Sequence, residues 1–443
     1  MQAAQLSVES AQTAMPRWSL ATRIAFRFFC PYLGLYYLGT LLSTVRFMVK
    51  GPSDAYRRML HLLNIWVATH IFHLNPAIVV HRGTGSTDTA LDYIQNLCIL
   101  VISAAIAIVW SGLDRKRPDY RTLHSWLRLM VRYSLAFSLF TYGFMKVFPQ
   151  QMPPAWLYMS KLVQPFGDKS PQALLWSFMG FSTAYQIFCG AAEVIAATLL
   201  LFRRTTTLGA LVSIGVLLNV VMVNLCYDVS VKLFSINLLL AAVFLAGPDF
   251  TKLARFFVLN RPMEPAEASG PTFHRRWLAT TVVAFKLLFI TANLYQSGSY
   301  WYERYQSQMA HPPRPALYGL YDVEAFIQNG HERLALTTDP TRWRRVIIDF
   351  FPPKVMQVQM MDDSFRPYQV EYDKAGESVT VIPGTESSKK YRLECSRPDA
   401  DHLVMQGMLA SDSMTVRMKR MDPSKFFLLG RGFEWIQEAP VSR

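Results

Sequence analysis

The chain has 443 residues, of which 51% are hydrophobic and only 17% are charged, against about 25% charged residues in typical soluble domains. Its formal net charge of +14 would suit nucleic-acid binding, but much of that charge lies in short loops beside apolar runs, as in DRKRPDYR and FRRT. Such loops are typical of topology signals and of contact with anionic lipid headgroups. Composition therefore argues against a nucleic-acid partner and favours a membrane protein whose partner is the lipid bilayer.

Seven apolar runs are long enough to cross a membrane as helices of about 20 residues each. The predicted spans are approximately 20–44, 92–112, 127–148, 174–202, 207–227, 231–248 and 277–296. The stretch 54–75 mixes apolar residues with arginines and histidines, so we expect an interfacial amphipathic helix there. If that stretch also spans, the count becomes eight and the N-terminus moves to the outside.

The positions of lysine and arginine predict the orientation of the spans. The loops 114–128, 203–204 and 249–276 are basic, and basic loops remain on the cytoplasmic side. With seven spans, the N-terminus is cytoplasmic and the C-terminus is extracytoplasmic. The location predicted in this way is a bacterial-type inner (plasma) membrane.

The composition divides the chain into four parts. Residues 1–90 hold the first span and the interfacial helix, and residues 91–296 form the helical membrane core. Residues 297–340 are predicted to be a connector, with one short helical patch near Val323–Gln328. In 341–443, short β-type runs alternate with turn residues every 8–12 residues or so, which predicts an extracytoplasmic antiparallel β sandwich or small barrel. Trp435, near the end of this domain, is predicted to be part of its core.

Ionisable side chains within the spans mark where chemistry is most plausible, because a charge at the bilayer centre costs at least ~2.5–3.5 kcal/mol. Glu193 lies midway along the fourth predicted span, and Gln186, a predicted ligand-binding residue, lies seven residues before it on the same face. Lys146 ends the third span and has Tyr142 one turn earlier. Lys146 either extends to the headgroups or points inwards, and a contact between Lys146 and Glu193 is a geometric hypothesis.

Four other charged residues have a structural interpretation beside the functional one. Asp228 and Lys232 lie at the only polar break in an apolar run of about 40 residues, so they mark a hairpin mouth. Asp228 suits a helix cap with Lys232 as its i,i+4 partner, or both residues form an outer gate. Arg203 and Arg204 are a topology signal first and a binding site for an anionic headgroup or phosphate second.

Metal and nucleophile motifs are absent. Four of the five cysteines lie in or beside apolar runs, and there is no CxxC or Cys/His metal spacing. His61, His70 and His73 prompt a haem or metal interpretation, but no second matched pair completes such a site. No metal site is therefore predicted, and the cofactor is left unknown, with quinone as the candidate.

The stretch 133–250 resembles the DoxX family of small membrane proteins. The likeness rests on Gly143 and Lys146 closing one span, on Gly190 and Glu193 in the next, and on the LLLFRRTTTLGAL and YDVSVKL segments that follow. The resemblance implies a four-helix membrane core. It also implies association with redox chemistry, because family members include a subunit of a thiosulfate:quinone oxidoreductase and partners in thiol and oxidative-stress complexes.

Three functions are consistent with these features. The leading hypothesis is a redox-associated membrane component, quinone- or thiol-linked, that works with an oxidoreductase partner subunit. In it Glu193 handles protons, and Lys146 and Tyr142 hold an anionic or quinone oxygen. The alternatives are a non-enzymatic membrane scaffold or assembly factor, and a transporter or lipid-handling protein whose β domain receives an apolar ligand.

Overall fold

The computed structural model describes residues 17–44, 50–75, 86–154, 158–262, 276–350, 354–373, 375–383 and 389–439. Most of the described chain up to residue 305 is helical, and the remainder is mainly β structure. The helices are α1 (Leu20–Thr44), α2 (Lys50–His70), α3 (Ala90–Leu113), α4 (Arg121–Val147), α5 (Met159–Val163), α6 (Pro171–Phe181), α7 (Thr183–Leu201), α8 (Thr206–Cys226), α9 (Lys232–Ala246), α10 (Phe250–Phe257), α11 (Arg276–Tyr305) and α12 (Phe427–Gly430).

Four helical stretches of the described chain are long and apolar enough to cross a membrane. They are Ala90–Leu113, Thr183–Leu201, Arg203–Cys226 and Lys232–Phe257. The other three predicted spans coincide with the long helices α1, α4 and α11, whose apolar runs are interrupted by residues such as Arg132 and Lys286. The length and composition of the helices therefore do not confirm the predicted number of about seven spans. They do confirm a mainly helical region with several candidate spans.

The chain forms two compact units. The helical unit comprises the described residues of Met1–Phe144 and Cys189–Gly298, and the barrel unit those of Met145–Phe188 and Ser299–Arg443. The loop between α4 and α7 thus belongs to the same unit as the β strands, although nearly 150 residues separate the two in the sequence.

Hydrogen bonds define two ends of the helical unit. At one end, the Trp18 amide donates to the Pro118 carbonyl over 3.2 Å, and Arg128 Nη2 donates to the Leu245 carbonyl over 2.8 Å. At the other end, the Thr87 amide donates to the Ser230 carbonyl over 2.9 Å. The first end contains the basic loop between α3 and α4 and also Arg203 and Arg204, so we call it the basic end.

Helix α2 packs against only the parts of α1 and α3 that are remote from the basic end. The Tyr56 hydroxyl donates to the Leu35 carbonyl over 2.5 Å, and Asn64 Nδ2 donates to Gln95 Oε1 over 3.0 Å. The α2 side chains Val67 and Ala68 pack with Ile94 and Cys98 of α3 in a small apolar cluster. Whether α2 is the predicted interfacial helix or an eighth span stays a prediction.

The β structure is an eight-stranded antiparallel barrel. Strand β1 pairs with β3 and also with β9, which closes the sheet, and the intervening strands pair in chain order. The two-residue strand β2 extends the end of β1 through the Asn329-Gly330 turn, in which both residues have positive φ, as a type I′ hairpin requires. The strands are β1 (Gly319–Gln328), β2 (His331–Glu332), β3 (Trp343–Ile348), β4 (Val355–Met360), β5 (Phe365–Tyr372), β6 (Ser378–Pro383), β7 (Tyr391–Ser396), β8 (His402–Leu409) and β9 (Asp412–Met421).

Apolar side chains fill the interior of this barrel. Alternate residues of each strand point inwards, as the two-residue period of a strand requires; examples are Met356, Val358 and Met360 of β4. Burial raises the pKa of the Cys395 thiol to about 11, and it raises that of the neighbouring Tyr372 phenol as well. Cys395 is therefore a protonated core residue near neutral pH, not a reactive thiolate.

The short helix α5 covers part of the outer face of the barrel. The Met159 amide donates to Asp349 Oδ2 over 3.0 Å, and Gln359 Nε2 donates to the Val163 carbonyl over 3.1 Å. Met159 packs with Leu320 and Ile347, so strands β1 and β3 are buried on both faces. The loop that follows α4 is thereby fixed to the barrel.

Three sequence predictions were wrong in detail. The stretch Val323–Gln328 belongs to strand β1, not to a helical patch, so the barrel begins at Gly319 instead of near 341. Trp435 is 91% exposed and is not a core residue. The fourth predicted span, 174–202, consists of the separate helices α6 and α7, because Ser182 between them has an extended backbone.

Candidate functional site

Glu193 is the most buried carboxylate among the described residues of the predicted membrane core. It lies near the middle of the apolar helix α7 and is 3% exposed. Tyr142 of α4 is close enough to Glu193 for the charges of the two groups to interact, and the Tyr142 ring lies 5.6 Å from that of Phe234 of α9. The structure therefore brings two of the three predicted catalytic residues together, within an aromatic and apolar setting.

A close crossing of α4 and α7 positions these two side chains. A β-carbon added at Gly143 would lie 2.8 Å from Val194 Cγ2 and 3.0 Å from the Gly190 carbonyl oxygen. Small residues allow helix backbones to approach in this way. Gly143 directly follows Tyr142, and Gly190 lies one turn before Glu193, so the crossing holds both functional groups on one interface.

Lys146, the third predicted catalytic residue, is also buried. It lies on α4, one turn beyond Gly143, and is 6% exposed. Burial to this degree disfavours the interpretation in which its ammonium group extends into water. The predicted contact with Glu193 stays a prediction.

Gln186 makes a reciprocal pair of hydrogen bonds to the chain that follows α4. Its Nε2 donates to the Met152 carbonyl over 2.9 Å, and the Met152 amide donates to its Oε1 over 3.1 Å. A β-carbon added at Gly180 would lie 2.7 Å from the neighbouring Pro153 carbonyl oxygen. Gln186 therefore fixes the path of this loop, and its predicted role in ligand binding stays a prediction.

Asp228 and Lys232 form the predicted i,i+4 ion pair, with 2.7 Å between Lys232 Nζ and Asp228 Oδ1. The helix cap, however, is Asp88. Its two carboxylate oxygens accept hydrogen bonds from the backbone amides of Lys232, over 2.7 Å, and Leu233, over 2.9 Å. Asp88 is 144 residues away in the sequence, so the local pattern around Asp228 could not identify it.

Asp88→Ala is expected to lower the free energy of unfolding by about 0.5–2 kcal/mol, because it removes the acceptor for two amides at the start of α9. Asp228 is 79% exposed, and exposed ion pairs contribute at most about 1 kcal/mol, so Asp228→Ala should have the smaller effect. Thermal unfolding of the full chain in one detergent compares the two variants. Asp88→Asn, which keeps an acceptor oxygen, serves as the matched control. A larger loss for Asp228→Ala would show that Asp228 does more than pair with Lys232.

The basic end contains a buried arginine that the sequence did not single out. Arg203 and Arg204 form an exposed 3-10 turn before α8, as a topology signal or headgroup site would. Arg132 of α4 is only 9% exposed, and its Nη1 donates to Thr206 Oγ1 over 3.1 Å, just past that turn. Arg132 lies inside the third predicted span, 127–148. A charged residue within a span is a functional candidate, so its position alone could have identified it.

The barrel unit has a small cavity of about 70 Å³ with a mixed polar and apolar lining. It is lined by side chains that include Gln150, Tyr158, Arg304 and Phe350. Burial, and to a lesser degree the charge of Asp349, raises the pKa of Tyr158 to about 12, so its phenol stays protonated. A cavity of this size holds water or a very small polar group, and it is too small for a quinone ring.

Among the residues that the structure describes, no group of three or more His, Cys, Asp or Glu side chains is arranged to hold a metal ion. His70 stacks on Trp66, with ring centroids 5.1 Å apart, and its Nδ1 lies 3.0 Å from the Trp66 carbonyl oxygen. These contacts within α2 give the His70 side chain a structural role.

Comparison with known proteins gives one informative relationship. The chain is 31% identical over 135 residues to the uncharacterized protein YwoB of Bacillus subtilis (strain 168); the match covers 28% of this chain and 79% of YwoB. The chain belongs to the family of YwoB. YwoB is uncharacterized, so membership of its family brings no activity, and most of this chain lies outside the similarity. No protein-family model matches the chain, and no solved structure does.

Proposed function

We propose that this member of the YwoB family is a redox-associated component of a bacterial-type inner membrane that acts on or beside a quinone. The observation that carries the proposal is the buried Glu193 carboxyl, which lies beside Tyr142 at the Gly143–Gly190 helix crossing. An ionisable residue inside a predicted span is a functional candidate because it is costly to keep there. The DoxX resemblance of residues 133–250 supports the same interpretation.

Each residue has a role that follows from its chemistry. Reduction of a quinone adds protons as well as electrons, and Glu193 supplies or accepts a proton within the apolar core. With a quinone bound, Tyr142 would donate a hydrogen bond to one of its oxygens, and Lys146 would stabilise negative charge on such an oxygen. In this proposal the electrons come from an oxidoreductase partner subunit, as the DoxX resemblance implies.

The contacts within the helical unit support seven spans. Helices α3, α8 and α9 run between the basic end and the opposite end, and α1, α4 and α7 each have one terminus at the basic end. Lys286 of α11 is beside Tyr133 of α4, and Phe289 is beside Phe137, so α11 runs in the same direction as α4. In this proposal the basic end faces the cytoplasm, and the barrel is extracytoplasmic.

Extraction and mass spectrometry of quinone test this function. The full chain, purified with its native lipids, is expected to contain quinone, and Glu193→Gln should lower its quinone-linked turnover in membranes at least tenfold, the range typical of a lost acid–base group. Asp249→Asn is the matched control, because it changes a carboxyl to an amide at the basic end while keeping an acceptor for Thr207. Absence of quinone together with unchanged behaviour of Glu193→Gln would reject the proposal.

The second candidate is a membrane scaffold or assembly factor. The filled interior of the barrel favours it, because a barrel without internal space presents surfaces instead of holding a ligand. In this case Lys146 and Glu193 form a structural ion pair, and the double exchange Lys146→Glu with Glu193→Lys should restore both stability and partner binding. The filled interior gives no support to a lipid carried inside the barrel.

A further inference from the structure

The buried guanidinium of Arg132 has only neutral partners. Its Nη1 donates to Thr206 Oγ1 over 3.1 Å, and its Nη2 donates to the Tyr133 hydroxyl over 3.3 Å. Its Nε is buried and has no hydrogen-bond partner. Within the described ranges, the hydrogen-bond acceptors of Arg132 are the hydroxyls of Thr206 and Tyr133, whereas Asp249, which accepts a hydrogen bond from Thr207, interacts with the charge of the neighbouring Arg128. A buried charge is costly unless it is paired and hydrogen-bonded, so Arg132 needs an anion.

A second cation lies beside the same tyrosine. The Arg132 guanidinium carbon is 5.0 Å from the centre of the Tyr133 ring, and Lys286 Nζ is 5.7 Å from it. Two positive charges around one ring repel each other, and an anion between or beside them removes that repulsion. Tyr133 and Lys286 are half-buried, so this cluster reaches the surface of the helical unit.

Two neighbouring arginines, Arg128 and Arg27, have compensating partners that Arg132 lacks. Arg128 donates to the Leu245 carbonyl near the C-terminus of α9, where the helix dipole favours a cation, and Asp249 lies close enough to interact with its charge. All three nitrogens of the Arg27 guanidinium donate: Nε to the Tyr120 hydroxyl over 3.0 Å, Nη1 to Ser111 Oγ over 3.2 Å and Nη2 to the Asp114 carbonyl over 2.5 Å. The Tyr120 hydroxyl in turn donates to Asp114 Oδ2 over 3.0 Å, which links Arg27 to a carboxylate. Arg132 and Lys286 are thus the pair that lacks compensation.

We propose that Arg132 and Lys286 form a binding site for a phosphate group at the basic end of the helical unit. A guanidinium binds phosphate oxygens through well-directed donors, and an ammonium adds a point charge. The half-buried ammonium group of Lys286, with its three donors, suits such a group, and the Arg132 guanidinium beside the same tyrosine adds positive charge. The phosphate belongs either to an anionic phospholipid of the leaflet that the basic loops contact or to free inorganic phosphate.

Headgroup-dependent thermal stability tests this site. The full chain is reconstituted in nanodiscs of pure phosphatidylcholine, in discs with added phosphatidylglycerol, and in phosphatidylcholine discs with inorganic phosphate. We expect binding of one of the two anions to be weakened about tenfold or more in Arg132→Gln and in Lys286→Gln, as for a lost charge-assisted hydrogen bond. Arg57→Gln, which removes an exposed arginine from α2, should bind like the wild type.

The lipid and phosphate arms identify the source of the group. Stabilisation by phosphatidylglycerol alone assigns the site to lipid, and stabilisation by inorganic phosphate assigns it to the free anion. If neither stabilises the wild type, or if both variants respond as the wild type does, there is no such site. Should Arg132→Gln not fold, Lys286→Gln, whose side chain is only half-buried, decides the outcome.

Discussion

Trp343→Ala is expected to lower the free energy of unfolding of the barrel unit by about 3–5 kcal/mol. Trp343 is 3% exposed, and its ring centre lies 5.9 Å from that of Phe326 and 6.1 Å from that of Tyr368. Removing the indole leaves a cavity that strands paired on both sides cannot close. Because such a loss approaches the whole stability of many domains, we expect early unfolding of the β structure in thermal circular dichroism of the full chain.

Trp435→Ala is the matched control for this substitution. It removes the same side chain from a position that is 91% exposed, where substitutions change stability by no more than about 0.5 kcal/mol. Equal losses for the two variants would contradict the assignment of Trp343 to the barrel interior and of Trp435 to the surface.

Gly143→Leu is expected to force α4 and α7 apart and to destabilise the helical unit by about 1–3 kcal/mol or more. The first added carbon would already lie 2.8 Å from Val194 Cγ2 and 3.0 Å from a backbone oxygen, and a backbone oxygen cannot turn away as a side chain can. We also expect loss of activity, because Tyr142 and Glu193 lie on either side of the same crossing.

Gly215→Leu provides the control for the change of residue type. Gly215 lies in α8 and is exposed, with no atom within 4 Å of an added β-carbon, so leucine should be neutral or raise helix stability by up to about 1 kcal/mol. Thermal unfolding of both variants in the same detergent, followed by tryptophan fluorescence, makes the comparison. If Gly143→Leu were tolerated as well as Gly215→Leu, the close crossing would not exist in the folded protein.

The sequence predicts features that depend on local periodicity. Apolar runs predicted the long helices, and alternating short runs predicted an antiparallel β domain, which the structure resolves as a barrel. The ion pair between Asp228 and Lys232 followed from their i,i+4 spacing. Each of these predictions depends on residues that are close together in the chain, so a single sequence was sufficient to make it.

Contacts between distant parts of the chain could not be predicted. Asp88 caps α9 from 144 residues away, and Arg132 meets Thr206 across 74 residues. The misassigned patch at Val323–Gln328 shows a different difficulty, since a short apolar run suits a helix or a buried strand equally. There the following Asn329-Gly330 pair, a hairpin signal, favoured a strand.

The depth of Glu193 was the most useful prediction at the site. Its position within an apolar run indicated burial, and the structure places it beside Tyr142. Gly143 and Gly190 entered the sequence interpretation as points of the DoxX resemblance, and the structure shows that both lie in the contact between α4 and α7.

Proton exchange at Glu193 is the central claim, and infrared difference spectroscopy tests it most directly. The full chain in native-lipid nanodiscs is poised alternately with its quinone oxidised and reduced, and the spectra are subtracted. We predict a carboxyl carbonyl band that changes with the quinone state, shifts in deuterated water, and is missing in Glu193→Gln but kept in Asp249→Asn. A spectrum that is the same for the wild type and Glu193→Gln would contradict the account.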